Sequence, residues 1–391
     1  MPVPSRTIVD MPRSGIREIM DLAAGRDDVV HLEVGQPDFR TPEHIQEAAI
    51  RAVRDGFHGY TPNKGIPSLR EALVERSRAD GGPSFDTEDV VVTTGAVNAL
   101  YETLAVLTDP GDAVLVPDPG WPNYAMMASM LRIRSVGYPT PAEQGSAPDL
   151  NRLEELLRTT ERAKALLLNS PNNPTGAVYP RATIERVVEL CQRYDVYLLS
   201  DECYDKIVFD AEHVAPASID DSGCVFTVRS VSKTYAMTGW RVGFLIAPTR
   251  ELADLVAKAQ EPVTSCATAI SQKAAEAALL GDQGPADEMV RAYHRRRDVA
   301  VRVLGSGGAG VLSSRPNGAF YALVDLPDVG IDSAAFARSA VSEHGVAVAP
   351  GATFGPAGHA KVRISLAAAE AEVKEGADRL VAAIQAAARS R

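Results

Sequence analysis

Between residues 89 and 246 the chain alternates short apolar runs, rich in valine, leucine and isoleucine, with longer segments patterned like amphipathic helices. The apolar runs fall at 90–94, 113–116, 133–137, 163–169, 196–200, 224–228 and 242–246. Helical patterns reach about residues 107 and 131 and cover 150–158 and 180–194. Runs that stay apolar rather than alternating are buried on both faces, so this order predicts an α/β fold: a mostly parallel central sheet covered by helices on both faces. Ligands of such sheets sit at the carboxyl ends of the strands.

The flanks read differently. Prolines punctuate the first forty residues, around a helix at 15–24 and a strand at 29–33. Thr41 before Pro42 is patterned as an N-cap with proline at N1 of a helix to about 55. After residue 249 come alanine-rich helices to 280 and a charged helix at 286–304. A turn-rich joint at 305–310 then leads to strands at 319–325, 346–349 and 362–366. The expected division is an N-terminal segment, 1–40, packing with the small domain; a large ligand-binding domain, 41–281; and a small α+β domain, 282–391.

Composition narrows the class. A chain of 391 residues exceeds one hydrophobic core. The net charge of -11 speaks against nucleic-acid or anionic-membrane partners, which call for a basic face. Cys191, Cys203, Cys224 and Cys266 are widely spaced with no metal-like pattern, and no apolar run approaches membrane length. A cytoplasmic protein with reduced thiols and no metal site is the expectation.

The chemistry-bearing residues collect where the strands end. RSVSKTYAMTGWRVG over 229–243 places Ser230, Ser232, Lys233 and Arg241 between two strands. Lys233 is either a Schiff-base nucleophile or a surface lysine on a loop. Asp201 follows the run 196–200; it either caps a helix or pairs with a buried cation such as a protonated ring nitrogen. Gly95, opening a helix with Ala96 and Val97, joins Ser230 and Arg241 as a phosphate cradle. NSPNNPTG over 169–176 is a rigid loop offering the Asn173 amide. Trp121 and Tyr124 either stack on a planar ring or fill the core. Gly35 in VGQPDF lets backbone approach a ligand, and Arg363 in VRISL either faces solvent on an edge strand or clamps a carboxylate.

Together these motifs resemble the class I/II aminotransferases, pyridoxal-phosphate enzymes of fold type I, and most nearly the bacterial aspartate-aminotransferase-like branch. The resemblance runs from residue 34 to Arg363. It implies pyridoxal 5'-phosphate as cofactor, Lys233 as Schiff-base lysine and proton shuttle, and Asp201 as partner of the pyridine nitrogen. Tyr204 and Asn173 would bond the ring's phenolic oxygen. Ser230, Ser232, Arg241 and the amides of Gly95, Ala96 and Val97 would hold the phosphate, with Tyr60 from a neighbouring subunit of a homodimer. Trp121 would stack on the ring, Arg363 would bind the substrate carboxylate, and Gly35 would line the pocket.

One departure concerns the substrate. Aspartate-specific members of this branch carry a lysine two residues after the glycine, where this chain has Val97. VTSCAT over 263–268 also lacks the arginine that another branch places there. The expected activity is transfer of an amino group from an L-amino acid to a 2-oxo acid, with a neutral or apolar donor preferred over aspartate. The alternatives are β- or γ-elimination or replacement on the same scaffold, and a ligand-binding regulator, which the acidic balance disfavours.

Overall fold

The computed structural model describes residues 2–11, 13–306, 311–327 and 332–389. In chain order the strands are β1 (Val30–His31), β2 (Val90–Thr93), β3 (Ala113–Asp118), β4 (Arg134–Pro139), β5 (Ala163–Asn169), β6 (Tyr197–Asp201), β7 (Val225–Ser230) and β8 (Gly243–Ile246), followed by β9 (Val311–Leu312), β10 (Tyr321–Asp325), β11 (Val346–Ala347), β12 (Ala349–Pro350) and β13 (Lys361–Ser365).

Seven of them form the central sheet, in the order β2-β8-β7-β6-β5-β3-β4. All neighbours are parallel except β8, which runs against β2 and β7. Successive side chains of a strand point to opposite faces. Leu167, Leu199, Phe226 and Val228 therefore enter one apolar layer with Leu100 and Leu104 of the helix Ala96–Leu107. Leu166, Leu168 and Leu198 enter the other, with Val187 and Leu190 of the helix Arg181–Arg193. Each fully buried Leu or Phe stabilises by about 1.5–3 kcal/mol, so a polar substitution on either face is costly. The predicted α/β sheet covered on both faces is the observed one.

Because only β8 is reversed, the carboxyl ends of the other six strands share one edge, and the segment entering β8 begins there too. This topology gathers Gly95, Trp121, Asn169, Asp201, Lys233 and Arg241 from distant parts of the sequence.

A second sheet, β12-β13-β10-β9, is antiparallel. The segment predicted as one strand at 346–349 is divided: β11 pairs with β1, whereas β12 pairs with β13. The leading segment is stitched to this region by that β1 pairing and by Ser365 N–H donating to the Leu32 carbonyl at 2.7 Å. The helix Gly15–Ala23 packs on Ser333–His344, and the long helix Gly284–Ser306 lies along Glu370–Arg389. Of the predicted joint, residues 307–310 lie outside the described residues.

Thr41 does not cap its helix. Pro42 occupies the N-cap of Glu43–Arg54, while the Thr41 hydroxyl donates to the Ala236 carbonyl at 2.7 Å and accepts from Trp240 Nε1 at 3.1 Å. A tertiary partner took the hydroxyl that the local pattern assigned to the helix. That contact ties the loop after Gly35 to the lysine segment.

Candidate active site

Strand β7 ends at Ser230, whose hydroxyl accepts the Ser232 N–H at 3.1 Å and caps one helical turn, Val231–Thr234. Lys233 rides on that turn rather than on an open loop. Its Nζ donates to the Gly35 carbonyl at 2.7 Å, which brings the loop after β1 across the sheet edge. Among the described residues Lys233 forms no ion pair, so its amine is held by a neutral acceptor that a reacting group can displace.

Asp201 ends β6 and is buried. No helix follows it, which removes the capping reading. Its Oδ2 accepts the Tyr124 hydroxyl at 2.7 Å and its Oδ1 the Cys203 N–H at 3.2 Å. Burial pushes its pKa above the usual carboxylate range, against the lowering effect of those two donors. A buried carboxylate with hydroxyl and amide donors but no cationic partner among the described residues has room, electrostatically, for one cation. A protonated ring nitrogen fits that demand.

Arg363 lies on β13, between β12 and β10, so the solvent-edge reading is corrected: the guanidinium is buried. Nη1 donates to Asn173 Oδ1 at 3.1 Å and Nη2 to the Glu33 carbonyl. The rings of Tyr321 and Phe354 flank it, with centroids 4.4 Å and 5.0 Å away. Its Nε has no hydrogen-bond partner and no described carboxylate pairs with it, and burial lowers its pKa. An unneutralised buried guanidinium is costly. A ligand carboxylate offsets that cost.

The phosphate cradle rests on one glycine. Gly95 has φ +81, and a Cβ there would run into the Arg241 guanidinium. Only glycine lets that arginine fold over the start of Ala96–Leu107, where the Ala96 and Val97 amides have no intrahelical acceptor; the Gly95 N–H itself donates to the Thr93 carbonyl at 2.8 Å, so the predicted Gly95 amide is already taken. Gly243 adjoins the same point, since a Cβ on it would come within 2.5 Å of the Ala96 nitrogen. Ser230 Oγ lies 2.8 Å from Ser232 Oγ and 3.0 Å from the Val242 carbonyl. Two hydroxyls, free amides and a guanidinium on one side are the donor set a phosphate ester takes.

Lys233, Asp201, Arg241 and Arg363 open into one cavity, also lined by Gly35, Ala96, Val97, Trp121 and Asn173. Tyr204, Ser230 and Ser232 line it as well, whereas Gly95, predicted with them, is not among its lining residues. Tyr60 is not part of its lining and stands almost wholly exposed, at 93%. Tyr124 does not offer a stacking face; it is buried edge-on to Trp121, with ring centroids 5.4 Å apart at 86°. Trp121 keeps the half-exposed face. Gly35 has a second duty, because a Cβ there would strike the Tyr321 hydroxyl.

The profile of the family "Aminotransferase class I and II" matches residues 27–380. The chain belongs to this family. It is 39% identical over 355 residues to the aspartate/prephenate aminotransferase of Thermus thermophilus, covering 90% of each chain. It is 36% identical over 359 residues to the arginine–pyruvate transaminase of Pseudomonas aeruginosa, covering 90% of this chain and 89% of that one. The solved structure of the Thermus thermophilus aspartate aminotransferase with maleate superposes with a TM-score of 0.92 at 36% identity, over 98% of this chain and 100% of that one.

Several residues of this aminotransferase site escape a sequence reading. Tyr321 lines the cavity from β10, and Ile16 and Met20 reach it from the helix Gly15–Ala23. Ile16 and Met20 carry no signal beyond ordinary helix amphipathicity. Tyr321 carried none either: β10 pairs with β13 in the register Leu323↔Arg363, which sets Tyr321 diagonal to Arg363 on the same face. That register exists only in the folded sheet. Among the described residues no helix is long and apolar enough to cross a membrane, no disulfide forms, and no cluster of metal-binding side chains occurs.

Proposed function

We propose that this aminotransferase uses pyridoxal 5'-phosphate to move an amino group from a neutral or apolar L-amino acid to a 2-oxo acid, in two half-reactions. The observation that carries the reading is the meeting in one cavity of a buried uncompensated carboxylate, a buried unpaired guanidinium and a lysine held by a neutral carbonyl. When bound, the cofactor supplies an aldehyde for the amino group and a protonated ring that takes up the electron pair released at the substrate Cα.

The chain's own residues do the rest. Arg363 takes the α-carboxylate and so fixes where the Cα lies. Lys233 Nζ removes the proton from that Cα and delivers it again, leaving its hydrogen bond to the Gly35 carbonyl as it does so. Asp201 would supply the negative charge that pairs with the ring nitrogen, while Tyr204 and Asn173 would offer hydrogen bonds to the ring oxygen. The amides of Ala96 and Val97 with Ser230, Ser232 and Arg241 would hold the phosphate, and Gly95 supplies the turn that admits Arg241. Trp121, Ile16 and Met20 close the cavity to water.

The donor preference rests on the cavity wall. Ile16, Met20, Val34, Val97 and Trp121 are apolar, and its cations, Lys233, Arg241 and Arg363, already have duties. A second substrate carboxylate would meet no cation of its own there. We further propose a homodimer in which exposed Tyr60 completes a partner's phosphate site, and a division of the chain at 40/41 and 281/282; the β1–β11 pairing and the separate second sheet support the division.

A donor screen with 2-oxoglutarate as acceptor tests the reading. Leucine, alanine and aromatic donors are expected to outpace aspartate, and fast aspartate turnover would sink the preference. Without an acceptor, each site should yield one equivalent of oxo acid and no ammonia; ammonia release would mark elimination instead.

A further inference from the structure

Tyr321 belongs to none of the strand-end motifs, yet it touches two of the groups the reaction depends on. From its diagonal position opposite Arg363, its ring lies against the guanidinium at 4.4 Å. Its hydroxyl stands 2.9 Å from that of Tyr204, with the two rings edge-to-face at 5.7 Å and 79°. The backbone of Gly35 closes the third side, since any Cβ there would displace the Tyr321 hydroxyl.

Two hydroxyls at this distance use one hydrogen between them: one donates, and the other is free to turn its own hydrogen elsewhere. Among the described residues Tyr204 is the only hydrogen-bond partner of the Tyr321 hydroxyl. We propose that Tyr321 is a positioning residue: it donates to Tyr204, so that Tyr204 presents its own hydrogen to the phenolic oxygen of the bound cofactor, while the same ring braces the guanidinium that takes the substrate carboxylate. The inference rests on the pyridoxal-phosphate reading above. Chained donors strengthen one another, so the outer tyrosine sharpens the inner one. A donor aimed at the phenolic oxygen competes with the cofactor's own proton there. Weakening that donor lets the proton stay to higher pH.

The test is a spectrophotometric pH titration of the holoenzyme, paired with KM for the amino donor. Tyr321→Phe should raise the midpoint of the cofactor's absorbance change by about half a pH unit to one unit, and leave KM unchanged because the ring remains. Tyr321→Leu should also raise KM, by about tenfold. The double variant Tyr204→Phe/Tyr321→Phe should shift the midpoint no further than Tyr204→Phe alone. Gly35→Ala, whose Cβ would meet both the hydroxyl and the ring edge, should raise the midpoint and KM together, and in a Tyr204→Phe background it should raise the midpoint no further; that pair of variants stands in if Tyr321→Phe does not fold. A midpoint that stays put in Tyr321→Phe but moves in Tyr204→Phe overturns the proposal, as does additivity in the double variant. A wild-type protein that gains no visible band with pyridoxal phosphate overturns the cofactor reading instead, which keeps the two failures apart.

Discussion

The Tyr124 hydroxyl donates to Asp201 Oδ2 at 2.7 Å, and both side chains are buried. Burial drives the Asp201 pKa up and the tyrosine holds it down. Removing the donor in Tyr124→Phe therefore raises that pKa further. A group that must be ionised stops working as pH falls through its pKa, so the acid limb of the kcat/KM profile should move to higher pH, by about half a unit to one unit. An acid limb that does not move would mean the bond leaves the carboxylate's charge untouched.

Lys233→Ala should remove the visible band of the holoenzyme and lower turnover by on the order of 10^3-fold or more, because it removes the group that moves the Cα proton. Absorbance spectra and single-turnover kinetics check both. A surviving band would reassign the lysine.

Arg363→Lys keeps the charge but loses the planar fork and its place between two rings. KM for amino and oxo acids alike should rise about tenfold to a hundredfold, with the cofactor spectrum unchanged. Equal loss of cofactor binding would show that Arg363 supports the site as a whole.

Val97→Lys places an ammonium on the cavity wall at a side chain that is 36% exposed. The ratio of kcat/KM for aspartate over leucine should rise, by about fivefold at most for so open an ion pair. Competition between the two donors measures it. No change would move the donor preference to other residues, with Ile16 and Met20 the next to vary.

Much of this site was legible because its residues end strands. A strand-to-loop change marks Gly95, Trp121, Asn173, Asp201 and Lys233, and the polar residues there are unusual enough to stand out from a solvated turn. The departures came where a side chain found a partner far along the chain. Thr41 reads locally as a cap yet bonds Ala236. Tyr124 reads as either a stacking ring or a core aromatic; it is in the core, and its hydroxyl serves Asp201, which neither reading named. Residues 346–349 read as one strand yet divide between two sheets.

The sequence by itself determined the layered α/β class, the strand-end position of the lysine and the carboxylate, and the glycine turn that opens the helix after β2, because each follows from periodicity or from a backbone demand within a few residues. Tertiary structure alone decided that Arg363 is buried, that Tyr321 links it to Tyr204, and that the helix Gly15–Ala23 walls the cavity. Those relations depend on strand register and on packing between segments far apart in the sequence, and nothing local in either segment specifies its partner.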